Sequence, residues 1–189
     1  MLSSLSPGFL VASTAMKDPH FRRAVVLLIE HQPEGSFGFI INRPASVVFE
    51  HVIEELGLDA ELADQKHFAV LNGGPVAPHT GWIVFDPQGS DMHDETAVTV
   101  SEHLCVSASR DFLQTIAKGE GPPRNVLVLG YAGWDAGQLD EELKQGSWIP
   151  IDLDERIVFD TPHEARWKHS LDSLGIDPAR LVSHRLAEA

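Results

Sequence analysis

Short apolar runs, separated by glycine and proline turns, dominate the first half of the chain and predict strands rather than long helices. Such runs occupy residues 9–12, 24–30, 37–42, 68–71 and 82–85. In the second half, similar runs predict strands at residues 97–100, 104–107, 126–129, 149–153 and 157–159. Residues 32–36, which include a proline and a glycine, suit the loop of an antiparallel hairpin between the second and third strands.

Segments with helical periodicity fall between these strands. One helix is predicted over residues 47–56, with Ser46 as its N-cap and Gly57 at its end. Another helix is predicted over residues 137–144. A further helix starts near Ser109, ends at Lys118-Gly119 and turns three side chains inward, namely Phe112, Leu113 and Ile116.

The clearest start of a helix is Thr161-Pro162-His163-Glu164, where threonine, proline and glutamate suit the cap, the first helical position and a capping box. Gly175 is expected to close this helix, and one face is predicted to carry Trp167, Leu171 and Leu174. Asp177-Pro178 is predicted to open a short last helix.

Strands with irregularly inserted helices predict a mixed α+β fold. We expect a largely antiparallel, mixed sheet that curls toward a barrel and is flanked by helices. No stretch has the composition of a linker, a repeat or a low-complexity tract, so residues 1–189 are predicted to form a single compact domain. Hydrophobic residues make up 43% of the 189 positions, which is enough to bury a sizeable core.

Acidic residues outnumber basic ones two to one, with 28 Asp and Glu against 14 Lys and Arg and a formal net charge of −14. A field of this sign repels polyanions, so the composition disfavours direct binding of nucleic acid and of anionic membrane surfaces. Cys105 is the single cysteine, and no internal disulfide can form. The longest apolar run, residues 24–29, is too short to span a bilayer, and the first residues lack the basic opening of a signal peptide. We expect a cytoplasmic protein, with homo-oligomerisation left open.

The most informative segment is Gly130-Tyr131-Ala132-Gly133-Trp134-Asp135-Ala136-Gly137-Gln138-Leu139, which follows a predicted strand. Glycines at a strand-to-helix turn would let the backbone approach a ligand and gather large side chains around one concave spot. The ligand-binding candidates here are Gly130, Tyr131, Gly133, Trp134 and Gln138. The alternative is that the glycines allow close packing while Tyr131 and Trp134 fill the core.

Three further pairs of residues are ligand-binding candidates. Asn42-Arg43 ends an apolar strand, and the following proline holds Arg43 extended, with its guanidinium displayed to a carboxylate. Arg110-Asp111 offers a second polar pair, and Gly73-Gly74 offers backbone amides at a strand-to-turn junction. Structural ion pairing and a turn that needs unusual backbone angles are the alternatives for these pairs.

The chain carries no nucleotide-binding or metal-binding motif. Gly130, Gly133 and Gly137 do not match G-x-G-x-x-G, and acidic residues at the following helix start would compete with a phosphate. The ten histidines show no metal-ligand spacing, so neither a metal nor a cofactor is predicted. His103 and Cys105 are predicted on one face of a strand, which permits a Cys-His nucleophile, whereas a buried small hydrophobe is the alternative reading of this cysteine.

A series of short motifs is spread along the chain in order: Asp18-Pro19-His20-Phe21, Gly38-Phe39-Ile40-Ile41-Asn42-Arg43-Pro44, Gly73-Gly74-Pro75-Val76, Ser109-Arg110-Asp111 and Gly130-Tyr131-Ala132-Gly133-Trp134. This series resembles the AlgH/YqgE family of bacterial proteins, and the likeness covers essentially the whole chain. The resemblance implies a cytosolic protein with a compact α+β fold that contains a barrel-like sheet. Such proteins are often labelled transcriptional regulators, without an established biochemical activity.

Charge and resemblance together favour a regulatory or accessory protein that binds a small molecule or a protein partner rather than reading DNA directly. This hypothesis places the site in the glycine-aromatic segment. The alternative hypothesis is an enzyme of unknown reaction that uses Arg43, Arg110 and Asp111 with a bound substrate, together with Cys105.

Overall fold

The computed structural model describes residues 5–59, 68–89 and 94–177. Within these ranges the chain forms strands and helices in the following order: β1 (Gly8–Ala12), β2 (Val25–Gln32), β3 (Gly35–Ile40), α1 (Phe49–Glu55), β4 (Val70–Asn72), β5 (Val76–Phe85), β6 (Val98–Ser101), β7 (Leu104–Ser107), α2 (Arg110–Ala117), β8 (Asn125–Asp135), α3 (Gln138–Lys144), β9 (Trp148–Asp152), α4 (Glu155–Phe159) and α5 (Arg166–Ser173). The chain divides into two compact units. Unit 1 comprises Met1–Arg43 and Ala132–Ala189, and unit 2 comprises Pro44–Tyr131.

Unit 1 contains an antiparallel sheet with the strand order β8-β3-β2-β1-β9, to which β8 contributes its last residues. The predicted hairpin is confirmed, because β2 and β3 pair antiparallel with Gln32 opposite Gly35. All five residues of β1 and the first four of β2 are buried, since these strands are consecutive apolar runs covered on both faces. The core around them includes Leu10, Val26 and Trp134.

Unit 2 contains the strand order β6-β7-β5-β8, with β4 pairing parallel to β8. Helices α1 and α2 bury Phe49, Ile53, Phe112 and Ile116 in a core shared with β4, β5, β7 and β8. The predicted cap of α2 is confirmed, because Ser109 accepts a hydrogen bond from the backbone N–H of Phe112. Antiparallel pairs with one parallel exception, together with the helices, confirm the predicted α+β class and its mixed, largely antiparallel sheet. A single domain over residues 1–189 stays a prediction.

Two of the predicted strands differ from the structure. Residues 157–159, predicted as a strand, belong to α4, because the side chain of Asp154 caps the backbone N–H of Arg156 and starts a helical turn there. The strand predicted at residues 126–129 continues to Asp135 in β8, so the predicted strand-to-helix turn at Gly130 is wrong.

Two predicted helix starts are also wrong. The N-cap of α1 is Val48, without a side-chain hydrogen bond, rather than Ser46. Helix α5 starts at Arg166 rather than at Thr161, because Thr161 lies at a bend and residues 163–165 form a turn before the helix. Leu174, predicted to share one helix face with Trp167 and Leu171, is the C-cap of α5 and is 45% exposed. The helix predicted from Asp177-Pro178 lies outside the described residues.

In the described part of the chain, none of the helices has the length and apolar character that crossing a membrane would require.

Candidate functional site

A bulge in β5 brings together four of the predicted site residues of unit 2. Val76 pairs with Tyr131, and regular pairing resumes only at Gly81, which lies opposite Leu129. Residues 77–80 therefore protrude from the ladder, and we call them the β5 bulge. All four are solvent-exposed, and Val76 beside them is 38% exposed. Tyr131 pairs with Val76 at the start of the bulge, and Gly130 lies against Gly74, Val76 and Pro78.

Gly130 makes the close approach of backbone to backbone possible. Its φ is +71°, and a Cβ at this position would lie 2.7 Å from the carbonyl oxygen of Gly74 and 2.9 Å from that of Val76. The same Cβ would lie 3.2 Å from the Cα of Pro78, inside the bulge. Real Cβ atoms are excluded at such separations, so only glycine fits beneath the bulge.

Gly73 fits against the same strand for the same reason. A Cβ at Gly73 would lie 2.4 Å from the carbonyl oxygen of Gly130, and the Gly73 N–H donates to the Leu129 carbonyl at 2.7 Å. The Gly74 N–H donates to the side chain of Asn72 at 3.2 Å. These amides serve internal hydrogen bonds, which is the turn-forming alternative for Gly73-Gly74.

The bulge itself is uncharged and strained. Its residues are Ala77, Pro78, His79 and Thr80. Ala77 has a φ of +45°, a left-handed conformation that costs an ordinary residue free energy of order 1 kcal/mol or more. Strain of this kind persists only where the surrounding backbone holds it, and here the packing around Gly130 does so. The result is an exposed segment that packs against the backbone of Gly130.

Trp134 occupies the core of unit 1. It is 5% exposed, and Phe21 stacks on it with ring centroids 5.9 Å apart. Its indole N–H donates to Glu142 Oε2 at 3.0 Å, and the indole N–H of Trp148 donates to the same oxygen at 2.7 Å. The core-filling alternative is therefore the one observed for Trp134.

Gln138 and Gly133 lie in the same unit without forming a ligand cradle. Gln138 donates through Nε2 to Glu142 Oε1 at 2.9 Å and accepts the backbone N–H of Asp135 at 3.1 Å. Gly133 is an exposed residue of β8 that pairs with Phe37. Glu142 Oε2 thus ties α3 to β8 and β9, and Oε1 accepts from Gln138 of the same helix.

Asn42 and Arg43 hold the loop that precedes β2. Asn42 accepts from the Val25 N–H and donates to the Arg23 carbonyl, each at 2.8 Å. Arg43 donates through Nη1 to the His20 carbonyl and through Nη2 to the Arg22 carbonyl at 2.9 Å. Partial burial lowers the pKa of Arg43, an effect that Asp18 opposes. Backbone carbonyls take the place of the predicted carboxylate.

Arg110 and Asp111 lie in the first turn of α2, and both are exposed. Arg110 donates through Nη2 to the carbonyl of Leu56, the C-cap of α1. Asp111 is the acidic residue of the first turn, where a carboxylate stabilises the positive end of the helix dipole. Within unit 2, Arg110 joins the two helices.

Cys105 is a core residue of unit 2 with 6% exposure. Burial raises the pKa of its thiol, a hydrogen bond with Thr99 opposes the increase, and the charge of Asp86 adds to it. Asp86 is itself buried and pairs with Arg124 at 2.9 Å and with His103 at 3.6 Å. A protonated thiol is a poor nucleophile, so the buried-hydrophobe alternative fits Cys105.

Sequence reasoning missed two polar residues that organise unit 1. Glu142 is one, and its spacing of four from Gln138 was the available signal. Arg166 is the other, and its guanidinium donates to the carbonyls of Ile41, Val158 and Thr161. Burial lowers the pKa of Arg166 to about 10, with Glu164 opposing the change. No local pattern marks a helical arginine as buried.

Sequence reasoning also missed the β5 bulge, for which Pro75 and Pro78 inside a strand-like segment were the signal. Among the described residues, no three His, Cys, Asp or Glu side chains gather into a set that could hold a metal ion.

Known proteins resemble the chain along nearly its full length. A family model described as AlgH-like matches residues 9–179. A UPF0301 protein of Photobacterium profundum is 37% identical over 182 residues, which cover 94% of this chain and 96% of the relative. A UPF0301 protein of Anaeromyxobacter dehalogenans is 40% identical over 181 residues, which cover 94% of this chain and 91% of the relative.

Two solved structures share the fold. The solution structure of AlgH from Pseudomonas aeruginosa has a TM-score of 0.79 and 36% sequence identity, and covers 96% of this chain and 95% of its own. A crystal structure of a protein from Corynebacterium diphtheriae has a TM-score of 0.67 and 22% sequence identity, and the match covers 86% of this chain and 85% of that protein. At this identity the match supports the fold alone. On the family match and the identity of its relatives, this chain belongs to the AlgH-like, UPF0301 family of bacterial proteins.

Proposed function

We propose that this AlgH-like protein is a regulatory or accessory binding protein that contacts a small molecule or a protein partner through the β5 bulge. One observation carries the proposal. Gly73-Gly74 and Gly130-Tyr131 come from two separate motifs and pack against each other, and Gly130 lies against Pro78 of an exposed segment that contains no Asp, Glu, Lys or Arg. A protein that maintains strain at an exposed position gives up folding stability there, which is typical of a site retained for contact with another molecule.

The remaining candidate residues support the choice of the bulge over the glycine-aromatic pocket. In unit 1, Trp134 and Gln138 both donate to Glu142, and Arg43 donates to backbone carbonyls. In unit 2, Arg110 donates to the Leu56 carbonyl. A ligand would have to replace these internal partners, each replacement costing about 1 kcal/mol or more. The bulge side chains demand no such exchange, because they point to solvent.

The charge of unit 2 argues for action through a ligand or protein rather than through direct DNA readout. Residues 44–131 include 13 acidic and four basic residues, a formal charge of −9. Direct binding would have to place phosphates against this field without the counterion release that basic residues provide. A titration of labelled duplex DNA at low salt would overturn this part of the proposal if it showed saturable binding.

The test is a thermal-shift screen of the full chain against metabolites, nucleotides and short peptides. A ligand at about 100 times its dissociation constant adds about 2.7 kcal/mol of stability, which produces a clear shift. We expect at least one saturable shift that the double variant His79→Ala, Thr80→Ala weakens strongly. The matched control is His51→Ala, which removes an exposed histidine of α1 in the same unit.

The control variant should retain the full shift. A ligand whose shift survives the double variant unchanged binds elsewhere, and the bulge would then not be the site. A panel with no shift, followed by failure of purified protein partners to protect residues 77–80 from hydrogen exchange, would overturn the proposal as a whole.

A further inference from the structure

The connection between β1 and β2 concentrates positive charge in an acidic chain. Residues 17–23 include three basic residues, Lys17, Arg22 and Arg23, against the single acidic residue Asp18, a formal charge of +2 where the whole chain has −14. All four of these residues are exposed. An anion that the chain as a whole repels therefore meets a local attraction at this connection.

Arg23 is held in a strained backbone conformation. Its φ is +56°, in the left-handed region that ordinary residues avoid. Asn42 donates through Nδ2 to the Arg23 carbonyl at 2.8 Å, and Arg43 donates through Nη2 to the Arg22 carbonyl at 2.9 Å. Two of the predicted ligand-binding candidates thus fix the backbone that carries the Arg23 side chain.

The side chain of Arg23 contacts an aromatic ring rather than a hydrogen-bond acceptor. Its guanidinium carbon lies over the ring of Trp167, 5.4 Å from the ring centroid. Trp167 is fixed in turn, because its indole N–H donates to the Ala12 carbonyl at 2.8 Å. Among the residues that the structure describes, none accepts a hydrogen bond from the Arg23 guanidinium or forms an ion pair with it. Its N–H donors are therefore held in place without an internal acceptor.

Five other arginines in the described part of the chain do have internal acceptors. Three donate to backbone carbonyls and two to carboxylates, namely Arg43, Arg110 and Arg166, and Arg124 and Arg156. At Arg23, by contrast, the fold maintains backbone strain at an exposed cation, which is typical of a position kept for contact with another molecule. A guanidinium fork matches two oxygens of a carboxylate or a phosphate.

We infer that the guanidinium of Arg23, placed over Trp167, binds the oxyanion group of a small molecule, either a carboxylate or a phosphate. Asn42 and Arg43 are positioning residues, because they act on the backbone around Arg23. These residues belong to unit 1, whereas the β5 bulge belongs to unit 2. The inference therefore stands or falls independently of the proposed function.

The test titrates the isotope-labelled full chain with inorganic phosphate and, separately, with acetate, replacing chloride at constant ionic strength and pH. Two-dimensional NMR follows the backbone amides of residues 20–24 and the arginine Nε–Hε groups. For at least one anion we expect saturable shifts, including that of Arg23 Nε–Hε, with a dissociation constant below about 10 mM. The anion that binds more tightly identifies the group of the ligand. Arg156 Nε–Hε, which already donates to Asp154 Oδ1 at 2.8 Å, should not shift.

Three variants separate the guanidinium fork from general charge. Arg23→Asn removes the fork but tolerates the left-handed conformation, and it should weaken binding at least about tenfold. Arg22→Asn removes the same charge from the adjacent exposed residue and should weaken binding by less than about threefold. Arg23→Lys keeps the charge without the planar fork and should bind at least about fivefold more weakly than the wild type. Thermal unfolding verifies that each variant is folded.

Three results would overturn the inference. The first is an absence of saturable shifts with either anion up to about 50 mM. The second is equal weakening by Arg23→Asn and Arg22→Asn, which would reduce the effect to general positive charge. The third is binding to folded Arg23→Asn or Arg23→Lys that is as tight as binding to the wild type, because the fork of Arg23 would then contribute nothing.

Discussion

Unit 1 and unit 2 use similar motif residues in opposite ways. In unit 1, Trp134, Gln138 and Arg43 all donate to internal acceptors. In unit 2, Gly130 lies beneath the exposed β5 bulge. The exposed large hydrophobic residues are divided in the same way: unit 2 has Val47, Val48, Leu56, Val76 and Val98, whereas the described part of unit 1 has Leu174.

The difference shows that a motif's residue types do not by themselves define a binding site. A tryptophan and a glutamine near a glycine turn suggest a pocket, yet in unit 1 a single carboxylate, that of Glu142, accepts from both. What distinguishes a site from a structural network is whether its polar groups already have partners inside the fold. By that criterion, the β5 bulge of unit 2 and the Arg23 guanidinium of unit 1 are the places to look for binding.

Gly130→Ala should have the largest effect and tests whether close backbone approach supports the bulge. The new Cβ would meet two carbonyl oxygens at 2.7 and 2.9 Å, and the φ of +71° disfavours alanine. We expect a loss of about 3 kcal/mol in the free energy of unfolding, measured in urea.

The control is Gly57→Ala at the end of α1, where φ is +62° and nothing lies within 4 Å of a Cβ. It reports the backbone conformation alone, for which we expect about 1 kcal/mol. Equal losses in the free energy of unfolding would mean that the close approach at Gly130 contributes nothing. Packing against Gly130 would then not support the β5 bulge.

Glu142→Ala tests the internal network of unit 1. The substitution leaves the indole N–H groups of Trp134 and Trp148 without their acceptor, and both tryptophans are at most 5% exposed. We expect a loss of about 2 kcal/mol in urea unfolding and an altered near-ultraviolet circular dichroism spectrum. Glu141→Ala, which breaks an exposed ion pair with Lys144, should change neither measurement appreciably.

A Glu142→Ala variant that is as stable as the wild type would show that the tryptophan N–H groups find other partners. In that case the polar residues of unit 1 would be available for binding after all, and the contrast between the units would weaken.

Cys105 should have the smallest effect, and it tests whether the core of unit 2 is inert. Burial raises the pKa of its thiol above the ordinary value of 9.0. A raised pKa stabilises the folded state fully below the pKa of the unfolded thiol, and this contribution is lost as the pH rises through the higher folded-state value. As the pH rises above 9.0, the wild type should therefore lose more stability than Cys105→Val does.

The same thiol should react slowly with Ellman's reagent in the native protein and rapidly after unfolding in urea. Fast labelling of the native protein, or identical pH dependence of the wild type and the valine variant, would contradict the assignment of Cys105 as a buried, protonated residue. Either result would reopen the nucleophile hypothesis in unit 2.

Elements whose signals are local were predictable from the sequence. Consecutive apolar residues predicted β1 and β2, and the Ser109 hydroxyl predicted the start of α2. The end of α2 was equally local, since Gly119 follows its C-cap with a φ of +78°. Local chemistry decides these elements because the relevant partner lies within a few residues along the chain.

Features that depend on distant partners were not predictable. The Gly130 signal was real, but it marks a close approach to Gly74, in the segment between β4 and β5, rather than a turn. Residues 157–159 have an apolar pattern too short to distinguish helix from strand, and the Asp154 cap decides the outcome. Arg166 donates to the carbonyl of Ile41, 125 positions away in the sequence, and the residues adjacent to Arg166 in the sequence do not predict this contact.

The division of the chain has a consequence for its synthesis. Unit 2 is one continuous stretch, Pro44–Tyr131, whereas unit 1 needs pairs such as Gly35 with Asp135 that lie far apart in sequence. All residues of unit 2 therefore leave the ribosome before β3 can pair with the last residues of β8 and before β1 can pair with β9. Premature termination after Tyr131 would spare the residues of unit 2 and leave β1, β2 and β3 paired with one another but without β9 and the last residues of β8, so that the outer sides of β1 and β3 are exposed to aggregation and proteolysis.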